Sequence, residues 1–600
     1  MKYGLNPQRQ RWSSDQHFVV VVYAPKGHRV VSKEAIAGIG RPFLSSGQKN
    51  PQRQMNQKLQ LQSSRDFLEE IAVLKDEIKK LKSRKRYGLI WEDKPEEVAE
   101  QCKKKLPVLV EKINKAIQLD KNLPTNILIE GDNYHALSVL NYTHAGKIDF
   151  IYIDPPYNTG SEGFMYNDRI VNREDSYRHS KWISFMRKRL LLAKNLLTSA
   201  GIIFISIDDN EFSQLRLLMD EIFSESSMKT TIIWQKKVRP SNKNKNGFSG
   251  TTEYILMYSK SNKDTKLIPV DLNAEYVKKV YKNPDNDNRG VWRGQPLWSE
   301  SNTNKRKTLI LPDGREITQK WFISQRTLNE LFDDNKITES KGGTLNAKSF
   351  LAERNGKDPM NLLTGEDVGT TEEATKELKE IMGISENMFM YPKPTRLIKF
   401  LISRIPENNK ATILDFFAGS GTTGQAVLEL NEEDDGDRKF ILCTNNENDI
   451  CAKVCFPRTK KIINGYQNLA GKKIKGLGGN LKYFKTDFID GNYTDNSKKN
   501  LVDRSTEMLC IKEDCFEMVE NGRNFKIFKS NSEKYLGIVY EDGGIDGLIE
   551  EIKKINQKFI VYVFSLDEST REEEFEQIRT LVELKPIPDA ILNVYKRIFK

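Results

Sequence analysis

A carboxylate, two prolines and an aromatic ring follow the apolar run Ile148–Ile153, as Asp154, Pro155, Pro156 and Tyr157. The run has the composition of a buried strand, and in an open α/β sheet ligands bind at such strand ends. These side chains suit an aryl amine, which is a poor nucleophile because its lone pair is delocalised into the ring. A carboxylate and a backbone carbonyl accepting its two N–H hydrogens would draw the lone pair out of conjugation. The prolines fix the backbone, and the tyrosine could stack on a flipped base. An ordinary strand-to-loop turn is the alternative, because Asp-Pro is common there.

A glycine-rich turn lies between the short apolar strand that ends at Asp415 and a helix that starts near Gln425. Its glycines, Gly419, Gly421 and Gly424, spell G-x-G-x-x-G, the fingerprint of dinucleotide-binding enzymes. An NAD- or FAD-dependent oxidoreductase is therefore one interpretation, although the Asp-Pro-Pro-Tyr stretch has no role in such an enzyme. Whichever ligand binds here, glycine lets the backbone approach it closely, and the N-terminus of the following helix favours a carboxylate.

A third motif, the stretch Tyr391–Leu397, directly precedes a predicted helix at Leu397–Ile402. A proline before a helix is a normal first-turn signal, so Lys393 and Pro394 carry little information alone. In chain order, however, the three motifs fit a single site.

The order of the motifs resembles the β group of DNA amino-methyltransferases. Asp-Pro-Pro-Tyr comes first and Phe-x-Gly-x-Gly second, with 259 residues (158–416) between them. More closely, the chain resembles the modification subunit of a type III restriction–modification system, over roughly residues 65–600. The matching stretches are Ile127–Tyr134, Asp154–Gly160, Phe440–Gly465 and the ending Leu584–Ile598.

The resemblance implies an α/β fold: a Rossmann-like S-adenosylmethionine-dependent methyltransferase core with an inserted target-recognition domain and a C-terminal α/β domain. It implies that Asp132 contacts the adenine end of the cofactor, although an N-cap for the following helix explains that residue equally well. Glu447 is the candidate ribose ligand. Many β-group enzymes have this acid at the very end of the second strand, whereas Glu447 lies a few residues beyond the strand end. The other cofactor-binding residues implied are Lys393, Pro394, Asp415, Phe417, Ala418, Gly419, Ser420 and Gly421.

The function implied is transfer of a methyl group from S-adenosylmethionine to adenine N6 in double-stranded DNA, with Asp154 and the Pro155 carbonyl orienting the amine. The partners implied are a second copy of the chain and a separate helicase–nuclease restriction subunit. Alternatives are a stand-alone DNA methyltransferase and a cytosine-N4 enzyme, whose motif usually begins with Ser. An RNA or protein amine methyltransferase would not need so long an insertion. A non-catalytic DNA-binding subunit would be expected to have lost Asp154 or the glycines.

Composition agrees with a nucleic-acid-binding enzyme. Six hundred residues imply several domains, and the net charge of +12 with a pI near 9.0 favours a polyanionic partner. A basic soluble enzyme with a solvated lysine surface is the alternative. No apolar run reaches the length of a membrane span. The six cysteines form no C-x-x-C pair, so we expect reduced thiols in the cytoplasm. The histidines show no ligand spacing, and we expect no metal.

The segment between the two motifs is basic, with 16 Lys/Arg against 7 Asp/Glu from Gln235 to Lys307. Cations and interleaved aromatics favour a DNA-facing region, although an insertion with its own small core would explain the tryptophans as well. We also expect Met55 to be the functional start. The predicted domains are a disordered extension (1–64), an amphipathic helix (65–86), the first catalytic part (87–234), a target-recognition insertion (235–385), the second catalytic part (386–468) and a C-terminal assembly domain (469–600).

Overall fold

The computed structural model describes residues 91, 93–159, 177–239, 247–261, 266–272, 274–340, 342–354, 356–386, 389–406, 408–491, 494–565 and 569–599. The predicted extension 1–64 and amphipathic helix 65–86 lie outside the described residues.

The strands are β1 (Lys105–Glu111), β2 (Thr125–Glu130), β3 (Ile148–Ile153), β4 (Leu197–Ile207), β5 (Met228–Gln235), β6 (Thr252–Ser259), β7 (Trp292–Pro296), β8 (Lys307–Ile310), β9 (Glu316–Gln319), β10 (Ile337–Glu339), β11 (Leu345–Phe350), β12 (Leu362–Leu363), β13 (Thr412–Asp415), β14 (Lys439–Thr444), β15 (Gly465–Gln467), β16 (Lys473–Lys475), β17 (Asn480–Asp490), β18 (Glu517–Gly522), β19 (Phe525–Lys529), β20 (Tyr535–Val539), β21 (Phe559–Phe564) and β22 (Val582–Ile587). The α-helices are α1 (Glu97–Lys104), α2 (Asn133–Thr143), α3 (Arg178–Leu196), α4 (Phe212–Phe223), α5 (Ala274–Val280), α6 (Gln325–Asp333), α7 (Gly365–Val368), α8 (Thr371–Met382), α9 (Thr395–Ile402), α10 (Thr422–Asp434), α11 (Phe456–Asn464), α12 (Asp495–Asp503), α13 (Thr506–Glu513), α14 (Ile545–Ile555) and α15 (Asp589–Ile598).

A ten-stranded sheet forms the centre of the described chain, in the order β1-β17-β2-β14-β13-β3-β4-β6-β5-β12. The strands from β17 to β4 are parallel to one another, whereas β1 and β6 run antiparallel to their neighbours. From β13 the chain crosses through α10 to β14, and from β3 it crosses through α3 to β4, on the opposite side. The neighbouring strands β13 and β3 therefore flank a topological switch point, where doubly wound sheets bind their ligands. The predicted α/β class is confirmed.

Strand β3 is buried on both of its faces, as expected of a central parallel strand. Successive side chains alternate between faces, so Ile151 and Ile153 join one hydrophobic cluster while Phe150 and Tyr152 join the other. The first cluster includes apolar residues of α2, α3 and α4, and the second those of α9 and α10. The loop Asp154–Tyr157 after β3 is thus attached to a strand that is covered on both faces.

The predicted bounds of the insertion, 235–385, are too wide. Strand β6 lies between β4 and β5 in the central sheet, and β12 joins the edge of that sheet beside β5. The basic composition of the segment concealed the apolar strand Thr252–Ser259. The part of the segment outside the central sheet is a smaller unit that contains sheet β10-β11-β7, hairpin β8-β9 and α6. Trp321 is fully buried in the core of that unit with Leu297, Leu309 and Leu328, so this tryptophan packs internally.

The predicted domain boundary at 469 is also wrong. Strand β17 lies inside the central sheet, parallel to β2 and antiparallel to β1. The glycine-rich stretch 471–479 has the composition of a linker, yet it leads into this core strand. The C-terminal unit proper follows, with the five-stranded sheet β18-β19-β20-β21-β22 and α14. It packs on the core, since the Tyr595 hydroxyl donates to the Pro107 carbonyl at 2.5 Å. Across the described residues, no helix is long and apolar enough to cross a membrane.

Candidate active site

The three sequence motifs meet at the switch point. Strands β3 and β13 pair in parallel, with Phe150 opposite Ile413 and Ile151 opposite Leu414. Asp154 and the glycine-rich loop therefore emerge side by side, although 259 residues separate the two motifs. The third motif comes from the segment before α9, and the Lys393 ammonium reaches Asp154. The prediction of one composite site is confirmed in its geometry.

The Asp154 carboxylate is occupied by a lysine. Lys393 Nζ donates to both Asp154 oxygens at 2.7 Å and to the Tyr157 hydroxyl at 2.9 Å. That hydroxyl lies 2.7 Å from Asp154 Oδ1. The Lys393 side chain is only 8% exposed, whereas that of Asp154 is 27% exposed. The lysine predicted as a cofactor ligand thus binds the Asp154 carboxylate, and its cofactor role stays a prediction.

A second carboxylate, Glu253 on β6, completes this ion network. Glu253 Oε2 lies 3.4 Å from Lys393 Nζ and 3.2 Å from the Tyr157 hydroxyl. Its Oε1 accepts a hydrogen bond from Lys236 at 3.0 Å. Sequence reasoning missed this residue. The available signal was an acid near the start of the otherwise apolar run Tyr254–Tyr258. We call Asp154, Lys393, Glu253 and Lys236, together with the Tyr157 hydroxyl, the ion network.

The electrostatics of the ion network follow from its burial. Burial raises the pKa of Asp154 above its ordinary value, against the opposing effect of Lys393. Burial also disfavours the charged form of Glu253, but Lys393 and Lys236 outweigh it and lower that pKa. For Lys393 burial is again the largest effect, yet the two carboxylates together raise its pKa. The lysine therefore stays protonated between two carboxylates.

The turn around Tyr157 is held by hydrogen bonds to α3 and to a buried carboxylate. Trp182 Nε1 donates to the Pro156 carbonyl at 2.7 Å, which ties the second proline to α3. Asn158 adopts a positive φ of 56° and donates to the buried Glu211. His179 Nδ1 lies 2.8 Å from the same carboxyl oxygen. Glu211 directly precedes α4, but its side chain makes no capping hydrogen bond to that helix, so this buried acid serves the turn instead.

The glycine-rich loop after β13 is shaped by buried polar groups. Asp415 is 3% exposed and accepts the Phe417 N–H at 3.0 Å and the Thr423 hydroxyl at 2.5 Å. Burial raises the pKa of Asp415 to about 7. Both of its oxygens therefore serve the loop itself. Arg458, which the sequence did not suggest, is fully buried and donates to Ser420 Oγ at 3.1 Å.

The loop fits a ligand that the backbone approaches closely. Gly419 and Gly421 have φ of 50° and 80°, in the left-handed region that favours glycine. A Cβ added at Gly419 would lie 3.2 Å from Phe389 Cζ. Phe417 and Ala418 are buried beside it. These conformations match the close backbone approach expected of a nucleoside cofactor loop.

The two remaining candidate acids lie on neighbouring strand ends. Asp132 follows β2 and caps α2, accepting the Tyr134 N–H at 2.7 Å and the His135 N–H at 3.3 Å. The capping interpretation is thus confirmed. Its side chain is 41% exposed, and its cofactor role stays a prediction. Glu447 lies in a short 3-10 turn after β14 and receives a hydrogen bond from Asn445 at 3.4 Å. Its ribose role is likewise untested.

No group of three His, Cys, Asp or Glu side chains that could hold a metal ion occurs among the residues with described positions. All six cysteines are buried free thiols.

Comparison with known proteins gives the site a family. Residues 148–453 match the DNA methylase family. The Mod subunit of the type III restriction–modification enzyme StyLTI from Salmonella typhimurium is 38% identical over 347 residues, covering 53% of this chain and 52% of that protein. The EcoPI Mod subunit of Escherichia phage P1 is 33% identical, covering 54% and 58%. The type II methyltransferase M.KpnI from Klebsiella pneumoniae is 32% identical, covering 53% and 79%.

The chain spans about half the length of the type III relatives. The family match includes both strand ends at the switch point, with the Asp-Pro-Pro-Tyr stretch, Lys393 and the glycine-rich loop all inside it. The chain belongs to the DNA methylase family.

Proposed function

We propose that this chain is an S-adenosylmethionine-dependent DNA methyltransferase that modifies adenine at N6. The observation that carries the proposal is the Asp154 carboxylate, held at the switch point directly beside the glycine-rich loop. Its partner in the structure is an ammonium group, which presents N–H donors as the target amine would. Family membership supports methyl transfer to DNA. The aspartate at the first motif position favours adenine over cytosine.

The residues divide the work between orientation and binding. Asp154 accepts one amine hydrogen and the Pro155 carbonyl the other, while the Tyr157 hydroxyl fixes the carboxylate through its 2.7 Å contact. S-adenosylmethionine, when bound, supplies an electrophilic methyl group. The loop Phe417–Gly421 would hold it, with Asp415 and Arg458 keeping that loop in shape. Most of the acceleration comes from positioning. A dedicated general base is not needed, because the amine becomes acidic as it is alkylated.

The basic segment that would face DNA begins inside the site. Lys236 contacts Glu253, and the next residue, Lys237, is exposed. Phosphate contacts here would bring the duplex to the mouth of the ion network. We extend the proposal to sequence recognition by the smaller unit that contains β7–β11 and α6. Its position between the two motifs supports this.

The relatives support a role as the modification and specificity subunit of a type III system. In that role the chain would form a homodimer through the C-terminal unit and pair with a separate restriction subunit. A stand-alone methyltransferase is the second candidate, because the chain covers 79% of M.KpnI, which is named a type II enzyme. Light scattering on a chain ending after Gly491, which keeps β17, tests the dimer: an undiminished dimer would contradict assembly through the C-terminal unit.

The decisive experiment is single-molecule sequencing of DNA from a methylation-free host that expresses the chain. We expect N6-methyladenine at one fixed sequence, and none with the Asp154→Ala variant as control. N4-methylcytosine instead would show that the base is wrongly assigned. Unmodified DNA from a host with well-folded, cofactor-binding protein would contradict the proposed activity.

A further inference from the structure

We infer that Glu253 is a positioning residue, which receives the Lys393 ammonium when the target amine takes its place on Asp154. The inference rests on the proposed function. It assigns a role to a residue outside all three sequence motifs, on the antiparallel strand β6.

The ammonium occupies the acceptor that the amine needs. Lys393 Nζ donates to both Asp154 oxygens at 2.7 Å and to the Tyr157 hydroxyl at 2.9 Å. An ammonium group and an exocyclic amine both present N–H donors, so they compete for the same carboxylate. The structure therefore represents a resting arrangement, in which a side chain of the protein stands where the substrate would bind. Catalysis requires that Lys393 leave Asp154.

The lysine cannot leave without a partner. Its side chain is only 8% exposed, and a buried charge that loses its partner is strongly destabilising. Glu253 Oε2 is the nearby alternative, 3.4 Å from Lys393 Nζ. A small movement of the ammonium therefore exchanges one carboxylate for the other and keeps the charge compensated.

Glu253 is itself held ready for this exchange. Lys236 binds its Oε1 at 3.0 Å, which leaves Oε2 directed towards Lys393. The Tyr157 hydroxyl lies 2.7 Å from Asp154 and 3.2 Å from Glu253, so its single proton can go to either carboxylate. As Lys393 moves to Glu253, the tyrosine proton remains with Asp154 and keeps that carboxylate oriented towards the amine.

A double-mutant cycle separates this role from a merely structural one. The variants are Glu253→Gln, Lys393→Met and the double variant, assayed on the sequence that the sequencing experiment identifies. Glu221→Gln is the matched control, because it removes a carboxylate on α4 from an ion pair with Arg187 on α3, away from the ion network. We expect Glu253→Gln to lower kcat about tenfold while KM for DNA and cofactor affinity change less than about twofold. In the Lys393→Met background the same change should alter kcat less than about twofold.

A second readout does not depend on turnover. Duplexes with 2-aminopurine at the target position fluoresce more strongly when the base leaves the stack. Glu253→Gln should reduce the fluorescence rise, and adding Lys393→Met should restore it, because no ammonium then competes for Asp154. Glu253→Asp should retain part of the wild-type rise, since it keeps the charge.

Two results would overturn the inference: equal loss from Glu253→Gln in both backgrounds, or no loss from Glu253→Gln alone. The proposed function is judged separately, on the wild-type chain. A wild-type chain that methylates DNA while Glu253→Gln matches it refutes only the role of Glu253, whereas an inactive wild-type chain removes both.

Discussion

The end of β3 is built from charged side chains, whereas the end of the neighbouring β13 is built from backbone. At β3, two carboxylates and two lysines form ion pairs with distances of 3.4 Å or less. At β13, Gly419 and Gly421 with positive φ shape the loop, and the buried, ionisable Asp415 accepts hydrogen bonds from the loop itself. With the roles proposed above, the difference means that substrate binding would respond to the movement of an ion, while cofactor binding would depend on a fixed backbone shape. Substitutions at the two ends should therefore fail in different ways.

The largest effect is expected from Asp154→Ala. Methyl transfer should fall by about a thousandfold or more, because the carboxylate polarises the amine in the transition state. Cofactor affinity, measured by calorimetry, should be unchanged, since the glycine-rich loop is intact. Asp154→Asn is the matched variant that keeps the shape without the charge. Loss of cofactor affinity in step with activity would show that the two strand ends are not separate in function.

The converse effect is expected from Gly419→Val. A side chain there is strained at φ 50° and would press on Phe389, so S-adenosylmethionine affinity should fall roughly tenfold or more. Gly146→Val is the control, because Gly146 also has a positive φ, 70°, with nothing within 4 Å of an added Cβ. Cofactor binding should survive that change. If the wild-type chain binds NADH in preference to S-adenosylmethionine, the oxidoreductase interpretation is right.

A pH effect on stability is expected from Glu211, which lies under the β3 turn. Burial raises its pKa from 4.5 to about 8, with Asn158 and Arg178 opposing this and Asp208 adding to it. The folded state therefore binds the proton more tightly than the unfolded state. The free energy of unfolding should decrease as pH rises from about 5 to about 8, by on the order of 4 kcal/mol.

In Glu211→Gln this decrease should be absent, while the titration of His179 remains. Urea unfolding of both proteins at pH 5, 6.5 and 8 measures the difference. Parallel curves would mean that Glu211 is ionised in the folded protein over the whole range.

The smallest effect distinguishes two adjacent lysines. Lys236 already has a counter-ion in Glu253, whereas Lys237 is exposed. Lys237→Met should flatten the dependence of log affinity for DNA on log salt by about one unit. Lys236→Met should flatten it less. The measurement is the affinity for specific and random duplexes at several salt concentrations. If both variants flatten the slope equally, both lysines contact phosphate.

The sequence was sufficient where information is local. The bounds of β3 agree with the predicted Ile148–Ile153, and α9 ends at Ile402 as predicted, because an apolar run marks the strand and a proline marks the start of the helix. The motifs also identified Asp154 and the glycine-rich loop. It was insufficient where a role depends on distant pairing. Nothing in the sequence around Glu253 indicates that it is buried beside Lys393, which lies 140 positions later in the chain. Similarly, β17 follows a stretch whose glycines suggest a linker.

Strand β17 also constrains when the enzyme can assemble. It pairs with β2 and β1, and Asn126 donates to the Asn480 carbonyl across 354 positions of sequence. During synthesis β2 leaves the ribosome long before that partner exists, so one edge of the nascent sheet stays open until residue 490 has emerged. Both strand ends of the candidate site, β3 and β13, are made earlier. A nascent chain could therefore contain every residue of the candidate site and still lack the completed sheet that holds them.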